Sequence, residues 1–480
     1  MTSPEDPLAI AREALAGQPV WLVGGVIRDR MLRSGGQSDT VDLDLIVDGD
    51  AEQAARALRK AASDAAIFTL SDQFGAWRVV SGDRSWQIDC TPLQGATLED
   101  DLRARDLTIN AIAEPLAGGE LIDPTGGIED FRLSSLRMVS IEAFEADPLR
   151  VVRLARFAVQ LGFEIDAATL ESAQTHCAGL SAVAGERIFA ELNLIICSPQ
   201  AVRGFELLDE VGASAVVLPE LVALKGVEQT AYHHLDAYEH TLEVLERAIE
   251  IESDPTALFG DHEGTAVAAI LAEPLADSLS RAAALRWGAL LHDIAKPQTR
   301  AEFDDGRIGF PGHAVEGAAV AGAILQRLKA SERLRAHVSK LTLEHLRLGF
   351  LVHEQPLTAE AFYLYMTSCQ PVEVDVTLLS LADRLATRGR KAEQAIAAHQ
   401  EVAIAVLTEA LRWREQGPPE PLLRGDRLAS ELGIEHGPLL GELLAAIAQA
   451  QYCGTVESED EALDLARGII NDGGDVDSVD

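Results

Sequence analysis

Aromatic residues are scarce in this chain, at 5%. Its five cysteines, Cys90, Cys177, Cys197, Cys369 and Cys453, are scattered and form no C-x-x-C pair. That excludes a disulfide framework and a zinc ribbon, and predicts a reducing compartment, the cytoplasm. No run of about 18 apolar residues occurs, so no membrane-spanning helix is expected. The opening MTSPEDPLAIARE has no apolar stretch of the kind a secretory signal needs. Basic residues are also short: 40 Lys and Arg stand against 77 Asp and Glu, a net charge of −37. A surface that attracts phosphate everywhere is thereby excluded, and any nucleic acid must be met by a local arginine patch. What is present is ordinary for a globular protein: 480 residues, 47% hydrophobic and 24% charged, many of them in Ala/Leu runs. This predicts a mostly helical chain of two to four domains at roughly 150 residues each.

The organisation changes along the chain. PVWLVGG reads as a strand ending in two glycines, VIRDRMLRS as a helix, and DLDLIVDG as a half-buried strand of period two. WRVVS and WQIDCT add two strand candidates. Beyond Leu136 the pattern is almost wholly helical. Four segments are expected: residues 1–135, mixed α and β; 136–228, helical; 229–390, helical and rich in histidine; and 391–480, helices with a tail. After Val456 that tail carries nine acidic residues and one Arg, and is expected to be frayed or disordered.

The first chemical constellation is strand–Gly24–Gly25–helix followed by Asp42 and Asp44 on the next strand. Glycines at a helix start allow close backbone approach and favour an anion. Residues two apart on a strand share a face. Two carboxylates there repel each other unless a cation lies between them, and Mg²⁺ beside substrate phosphates meets that need. Together the elements suggest nucleotidyl transfer at a two-metal site.

This segment resembles the first motif of the class II tRNA nucleotidyltransferases (CCA-adding) and bacterial poly(A) polymerases, within the polymerase-beta-type superfamily. DLRARDLTINAIA is similar to the family's R-R-D-F-T-x-N-A motif, and ADPLRVVRLARFAVQLGF to its E-D-x-x-R…R-F motif. DPTGGIEDFRLSSLR resembles the stretch joining head to neck. The resemblance implies an α+β nucleotidyltransferase head followed by an all-α neck. In it Gly24, Gly25 and Arg28 hold a triphosphate, Asp42 and Asp44 hold Mg²⁺, and Asp89 is a third carboxylate that activates the attacking hydroxyl. It also implies that Arg105, Asp106 and Asn110 bind the nucleotide's sugar and phosphates, with Asp147, Arg150 and Arg153 lining the same nucleotide. The implied substrates are CTP, ATP and tRNA. A basic strip of Arg153, Arg156, Arg187 and Arg203 is expected to meet the tRNA. Two positions depart from the pattern: Ala104 replaces the first Arg of R-R-D, and Ala146 replaces the Glu before Asp147. The first weakens a phosphate contact; the second leaves open how Arg150 is braced.

Base choice has a chemical rationale. A carboxylate accepts from an exocyclic amine, and a guanidinium donates to an unprotonated ring nitrogen. C and A offer both groups on one edge; U and G offer a carbonyl beside an N–H. Asp147 and Arg150 together can therefore accept C and A.

The second constellation is histidine and aspartate on amphipathic helices. His233, His234, His240, His292, His313, His337 and His345 fall in it, with Asp293 beside His292 and Asp383 farther on. Imidazoles and carboxylates converging from several helices suit a borderline divalent metal. The stretch resembles the HD superfamily of metal-dependent phosphohydrolases, which implies His240, His292, Asp293 and Asp383 as ligands to a metal such as Mn²⁺, Ni²⁺ or Co²⁺. His313 and His345 complete a second position, with His337 a rival to His345. The expected protein is a Mg²⁺-dependent enzyme adding C and A, whole or in part, to tRNA 3′ ends, with an HD phosphohydrolase domain behind it. The alternatives are a poly(A) polymerase, against which no basic G-R-R-F segment is found, and a phosphohydrolase whose head only binds nucleotide or RNA.

Overall fold

The computed structural model describes residues 6–32, 41–71, 74–229, 234–388 and 392–473. They form two compact units, Met1–Val217 and Leu218–Asp480.

The first unit begins with α1 (Pro7–Ala14), β1 (Val20–Val23), α2 (Gly25–Leu32), β2 (Val41–Val47) and α3 (Ala51–Ala61). β3 (Ala65–Ser71), β4 (Ala76–Ser81), β5 (Trp86–Pro92), α4 (Leu98–Arg103) and β6 (Ala113–Pro115) follow. The six strands form one sheet in the order β3-β4-β5-β2-β1-β6. β2 and β5 run parallel and every other neighbouring pair is antiparallel. Period-two alternation explains the sheet's two faces. Leu43, Leu45, Val79 and Ile88 turn to one side, against Ala11 and Leu15 of the α1 region and Ala54, Ala55 and Leu58 of α3. On the other side Val23, Ile46, Leu102, Ala111 and Ala113 make a smaller cluster. The aspartates of β2 stand on that second face.

Past the head come α5 (Gly127–Arg132), α6 (Ala143–Ala146), α7 (Leu149–Leu161), α8 (Ala167–His176), α9 (Gly185–Ile196) and α10 (Ala201–Glu210). α7 packs on both α9 and α10. Its Val151, Val152, Leu154 and Ala155 are fully buried, while Arg150 and Arg153 lie at the margin of the packed stripe. Gly162, in the left-handed region at φ 68°, ends the helix.

The second unit is helical apart from short strand pairs. The helices Ala237–Ser253, Arg281–Leu291, Glu332–Glu344 and Glu373–Leu385 pack together, with His313–Arg327 against the third of them. One expectation is overturned for the described part of the tail. It holds a helix, Glu459–Gly473, whose Ala462, Leu463 and Ala466 enter a core with Leu428, Leu443 and Ile447; residues 474–480 lie outside the described residues. Ser458 Oγ accepts from the Glu461 amide and the Glu461 carboxylate from the Ser458 amide, a capping box. Acidic residues in the first turn also suit the helix dipole. Charge marked the helix start rather than disorder.

Candidate active sites

The head site is a row across the sheet. Val23 pairs with Asp44, Asp44 with Asp89, and Asp89 with Arg78. Cross-strand partners project from one face, and Asp42 joins them two residues before Asp44. Leu43 and Leu45, at 2% and 1% exposure, pin the strand's other face inward. Both aspartates are pushed above the usual carboxylate range, first by withdrawal from water. At Asp44 the Asp89 carboxylate adds to the shift, while at Asp42 the Arg78 guanidinium opposes it. A cation between them relieves that cost. Arg78 clasps Asp89 with Nε 2.7 Å from Oδ1 and Nη2 2.6 Å from Oδ2. The sequence offers Arg78 only as one member of an alternating strand; the register gives it a partner.

Gly24 has φ +71°, and a Cβ there would lie 2.9 Å from Asp44 Oδ2, so any side chain is strained and displaces that carboxylate. Arg28 on α2 donates from Nη1 to Asn110 Oδ1 at 2.6 Å and lies 5.0 Å from the centre of the Phe157 ring. Its Nε is a buried donor with no hydrogen-bond partner among the described residues. Asn110 gives its own amide to Asp106 Oδ1 at 2.9 Å, beside the Leu107 amide at 2.8 Å. Asp106 Oδ2 receives Nε and Nη2 of Arg153 at 2.9 and 2.8 Å. Burial opposes ionisation of Asp106, yet Arg153 and Asn110 hold it far below the usual range. Both oxygens thus take donors here, so Asp106 holds Asn110 and Arg153 in place. Arg105 turns to Asp101 at 3.4 Å.

Two more corrections concern arginines. Arg156 is 8% exposed, lies 3.8 Å from the Phe157 ring centre and has its Nε 2.7 Å from Glu191 Oε2. It faces the interior rather than RNA, because Glu191, itself buried, pairs with both Arg156 and Arg153. Neither arginine is therefore a free phosphate contact. Arg187 and Arg203 are half exposed, but Arg203 faces Glu206 and Glu210. Arg187 donates to Asp147 Oδ2 at 2.7 Å. Asp147 is thus partnered by Arg187, not by Arg150. Arg150 is held by backbone carbonyls: Nη2 to Ala104 at 2.8 Å, and Nη1 to Ala143 at 3.1 Å and to Arg105 at 3.2 Å. The bracing that Ala146 left open comes from the main chain.

The closed network around Asp106 makes a testable stability claim. Asp106→Ala removes one partner of a largely buried ion pair, and is expected to cost about 3–5 kcal/mol in urea unfolding. Because the folded-state pKa is depressed, this contribution is present above the unfolded carboxylate pKa of about 4 and is lost as pH falls below it. The gap between wild type and variant should therefore narrow on acidification. A cost below about 1 kcal/mol at neutral pH would show that Arg153 finds another anion.

In the second unit, Nε2 atoms converge on Asp293. His292 Nε2 lies 3.0 Å from Asp293 Oδ2, and His240 Nε2 lies 3.8 Å from it. His313 and His345 approach Asp293 Oδ1 at 3.3 and 3.8 Å and stand 3.3 Å from each other. His240 also meets Asp383 at 3.0 Å. Asp293 is shared by two groups of possible ligands, one with His240 and His292, the other with His313 and His345. The Nδ1 atoms of His292, His313 and His345 sit 2.7–2.8 Å from the carbonyls of Ala289, Phe310 and Thr342. Those carbonyls hold a proton on Nδ1 and turn each Nε2, the atom a metal would take, toward Asp293. Burial lowers His292, but the adjacent Asp293 outweighs it and raises that imidazole above its ordinary range. Burial and His292 push His345 down to about 4. Lys296 Nζ, 2.5 Å from Asp293 Oδ2, offsets the charge of that carboxylate.

His337 is not part of this set. It lies 3.5 Å from Asp375, which is also paired with Arg281, in a separate buried cluster. His234 is exposed, and His233 lies outside the described residues. All five cysteines are free, and burial pushes the thiols of Cys90 and Cys369 up to about 12. No helix among the described residues is long and apolar enough to cross a membrane.

A glycine-flanked carboxylate row on an α+β head, followed later in the chain by a His/Asp bundle, defines a nucleotidyltransferase carrying an HD domain. Comparison with known proteins agrees. Residues 20–137 match the poly A polymerase head domain, 162–224 the probable RNA and SrmB-binding site of polymerase A, and 237–388 the HD domain. An A-adding tRNA nucleotidyltransferase of Deinococcus radiodurans is 35% identical, covering 92% of this chain and 93% of its own. A CC-adding tRNA nucleotidyltransferase of Thermus thermophilus is 34% identical, covering 92% and 91%. A solved CCA-adding enzyme in complex with ATP superposes with a TM-score of 0.64 at 19% identity, over 97% of this chain and 96% of that one. The Thermotoga maritima CCA-adding enzyme with tRNA gives 0.57 at 20% identity, over 96% and 94%. The chain belongs to the tRNA nucleotidyltransferase family.

Proposed function

We propose that this enzyme adds C and A, as complete CCA or one share of it, to the 3′ end of tRNA. The observation that carries the reading is the row Asp44–Asp89–Arg78 beside the Gly24 turn and the buried Arg28 donor. The Gly24 and Gly25 backbone and Arg28 take the triphosphate of CTP or ATP. Asp42 and Asp44 are the ligands for Mg²⁺, which when bound offsets charge on the attacking and leaving oxygens. Asp89, oriented by Arg78, accepts the proton of the RNA 3′-hydroxyl. The 3′ oxygen bonds to the α-phosphorus, the bond from that phosphorus to the bridging oxygen breaks, and pyrophosphate leaves. Asn110 and Asp106 position Arg28 and Arg153 around the nucleotide, and Arg105 stands at its margin.

The neck reads the base. Three of the five N–H donors of Arg150 are held by carbonyls, which fixes the plane of the guanidinium and leaves donors for a ring nitrogen. Asp147, steadied by Arg187, accepts the exocyclic amine. Half-exposed Arg203, whose nearest carboxylates on Glu206 and Glu210 stand as far off as 3.5 and 3.8 Å, is the remaining candidate for a tRNA phosphate. The HD set, His240, His292, Asp293, His313, His345 and Asp383, fits one or two divalent transition metals for phosphoester hydrolysis. The free cysteines agree with work in the cytoplasm. Residues 1–135, 136–228, 229–390 and 391–480 serve as head, neck, HD domain and C-terminal helices.

The test uses tRNA ending at the discriminator base, after C, or after CC, with each nucleotide supplied singly. CTP or ATP should be incorporated and UTP and GTP refused; no incorporation on any of the three ends sinks the reading. Arg150→Ala should lower discrimination against U by about 1–3 kcal/mol, the range for one good base contact. Unchanged CTP:ATP:UTP ratios in single-turnover reactions would place base reading elsewhere.

A further inference from the structure

The carboxylate row does not stop at Arg78. Arg78 pairs in turn with Phe68 on β3, the free edge of the sheet. Phe68 therefore lies on the same face as Asp44 and Asp89. It is 47% exposed, and Leu70, two residues on, is 43% exposed. Residues on the opposite side, such as Ile67 and Trp77, pack into the head core, so the strand has an inward face and spends its largest apolar groups on the outward one. The parallel row Asp42–Gln87–Val80–Ala66 beside it ends in a small exposed residue, which leaves the floor open. At about 4.8 Å per strand, Phe68 stands roughly 10 Å from Asp89 and 14 Å from Asp44.

We infer that Phe68 is a stacking platform for a nucleobase at the 3′ end of the RNA primer. The inference rests on the reading of the head as the transferase site. Direction supplies the argument. The triphosphate slot of Gly24 and Arg28 lies at the β1 end of the row. Attacking and leaving oxygens stand roughly in line across the transferred phosphorus. The primer therefore enters from the opposite end, over β4 and β3. There the one cation of the row, Arg78, is committed to Asp89. With a net charge of −37 the chain gains little from long-range attraction, and a ring face is what this end of the row offers. An exposed aromatic on an open sheet face stacks any base, as a primer whose last residue changes during successive additions requires.

Two measurements test it, one independent of catalysis. Oligonucleotides carrying 2-aminopurine at the last or penultimate position are titrated with full-length wild type, Phe68→Ala, Phe68→Leu and Phe68→Tyr. Fluorescence should change with wild type and Phe68→Tyr, and not with Phe68→Ala or Phe68→Leu. In steady state, Phe68→Ala should raise KM for tRNA about 5- to 150-fold, the range for one base–aromatic stack, with KM for the nucleotide unchanged and Tyr restoring it. An equal fluorescence change in all four proteins overturns the platform even if the enzyme adds nucleotides normally. Failure of wild type to add any nucleotide overturns the function instead, and the fluorescence series still decides the stack. A wild-type dimer that Phe68→Ala dissociates shows that a second copy covers this edge, and overturns the proposal.

Discussion

Asp44→Ala is expected to abolish nucleotide addition and to leave the fold standing. Asp42→Ala should do the same. The pair sits on one strand face, with the Asp89 carboxylate paired directly beside Asp44. Three anions converge there, and Arg78 forms its ion pair with Asp89. Asp42 and Asp44 stay raised despite the nearby arginines, so removing one of them relieves the metal-free protein, and thermal stability without Mg²⁺ should hold or rise. With Mg²⁺ the order reverses. A cation that binds only the native state raises the melting temperature of wild type, and Asp44→Ala loses that increment. The rate of addition should fall by more than roughly 3 kcal/mol of transition-state stabilisation, the scale of a main electrostatic contributor. Activity within tenfold of wild type in both variants would sink the head assignment. A Mg²⁺ stabilisation that survives both substitutions would place the cation elsewhere.

What could be read without coordinates divides along a physical line. Local patterns carried far. D-L-D-L-I-V places two aspartates on one face because its leucines have only one way to be buried, and Gly24 is marked by the turn it must make. The HD set could be read from its adjacent His292–Asp293 pair and flanking His and Asp, although these ligands gather largely at helix ends: His292 and Asp293 follow Arg281–Leu291, His345 follows Glu332–Glu344, and His313 opens its helix. Partnership across long sequence distance could not be read. Arg78 and Asp89 meet only through the β4–β5 register. Arg156 sits in the same helical repeat as Arg150 and Arg153, yet Glu191, 35 residues later on α9, draws it inward. The bracing of Arg150 was invisible for another reason: its partners are carbonyls, which every residue has. The acidic tail is a different case. Ser458 and Glu461 have the spacing of a capping box, and the surrounding charge concealed a signal that was present in the sequence.

Asp293→Ala is expected to empty the HD site and silence any phosphohydrolase activity, while nucleotide addition continues. Asp293 is the one residue common to both groups of convergent ligands, so its loss removes a donor from each. The remaining imidazoles bring no negative charge, and a divalent cation among them lacks its nearest anion. The substitution also strands Lys296, a buried ammonium 2.5 Å from the missing carboxylate. An unpaired buried charge is costly, so Asp293→Asn, which keeps the shape and an acceptor for Lys296, is the companion variant. Elemental analysis of the purified proteins should find a transition metal in wild type and little in either variant. Nucleotide addition should persist in both, because Asp42, Asp44 and Asp89 belong to the other compact unit. Equal loss of both activities in a folded Asp293→Asn protein would contradict two independent sites. Wild-type protein that holds no metal after purification, and binds none of Mn²⁺, Ni²⁺ or Co²⁺ when offered, would mean that the buried His/Asp cluster is a scaffold. Its charges would then be balanced internally by Lys296 and by His240 against Asp383, and the phosphohydrolase reading would be withdrawn while the transferase reading stood.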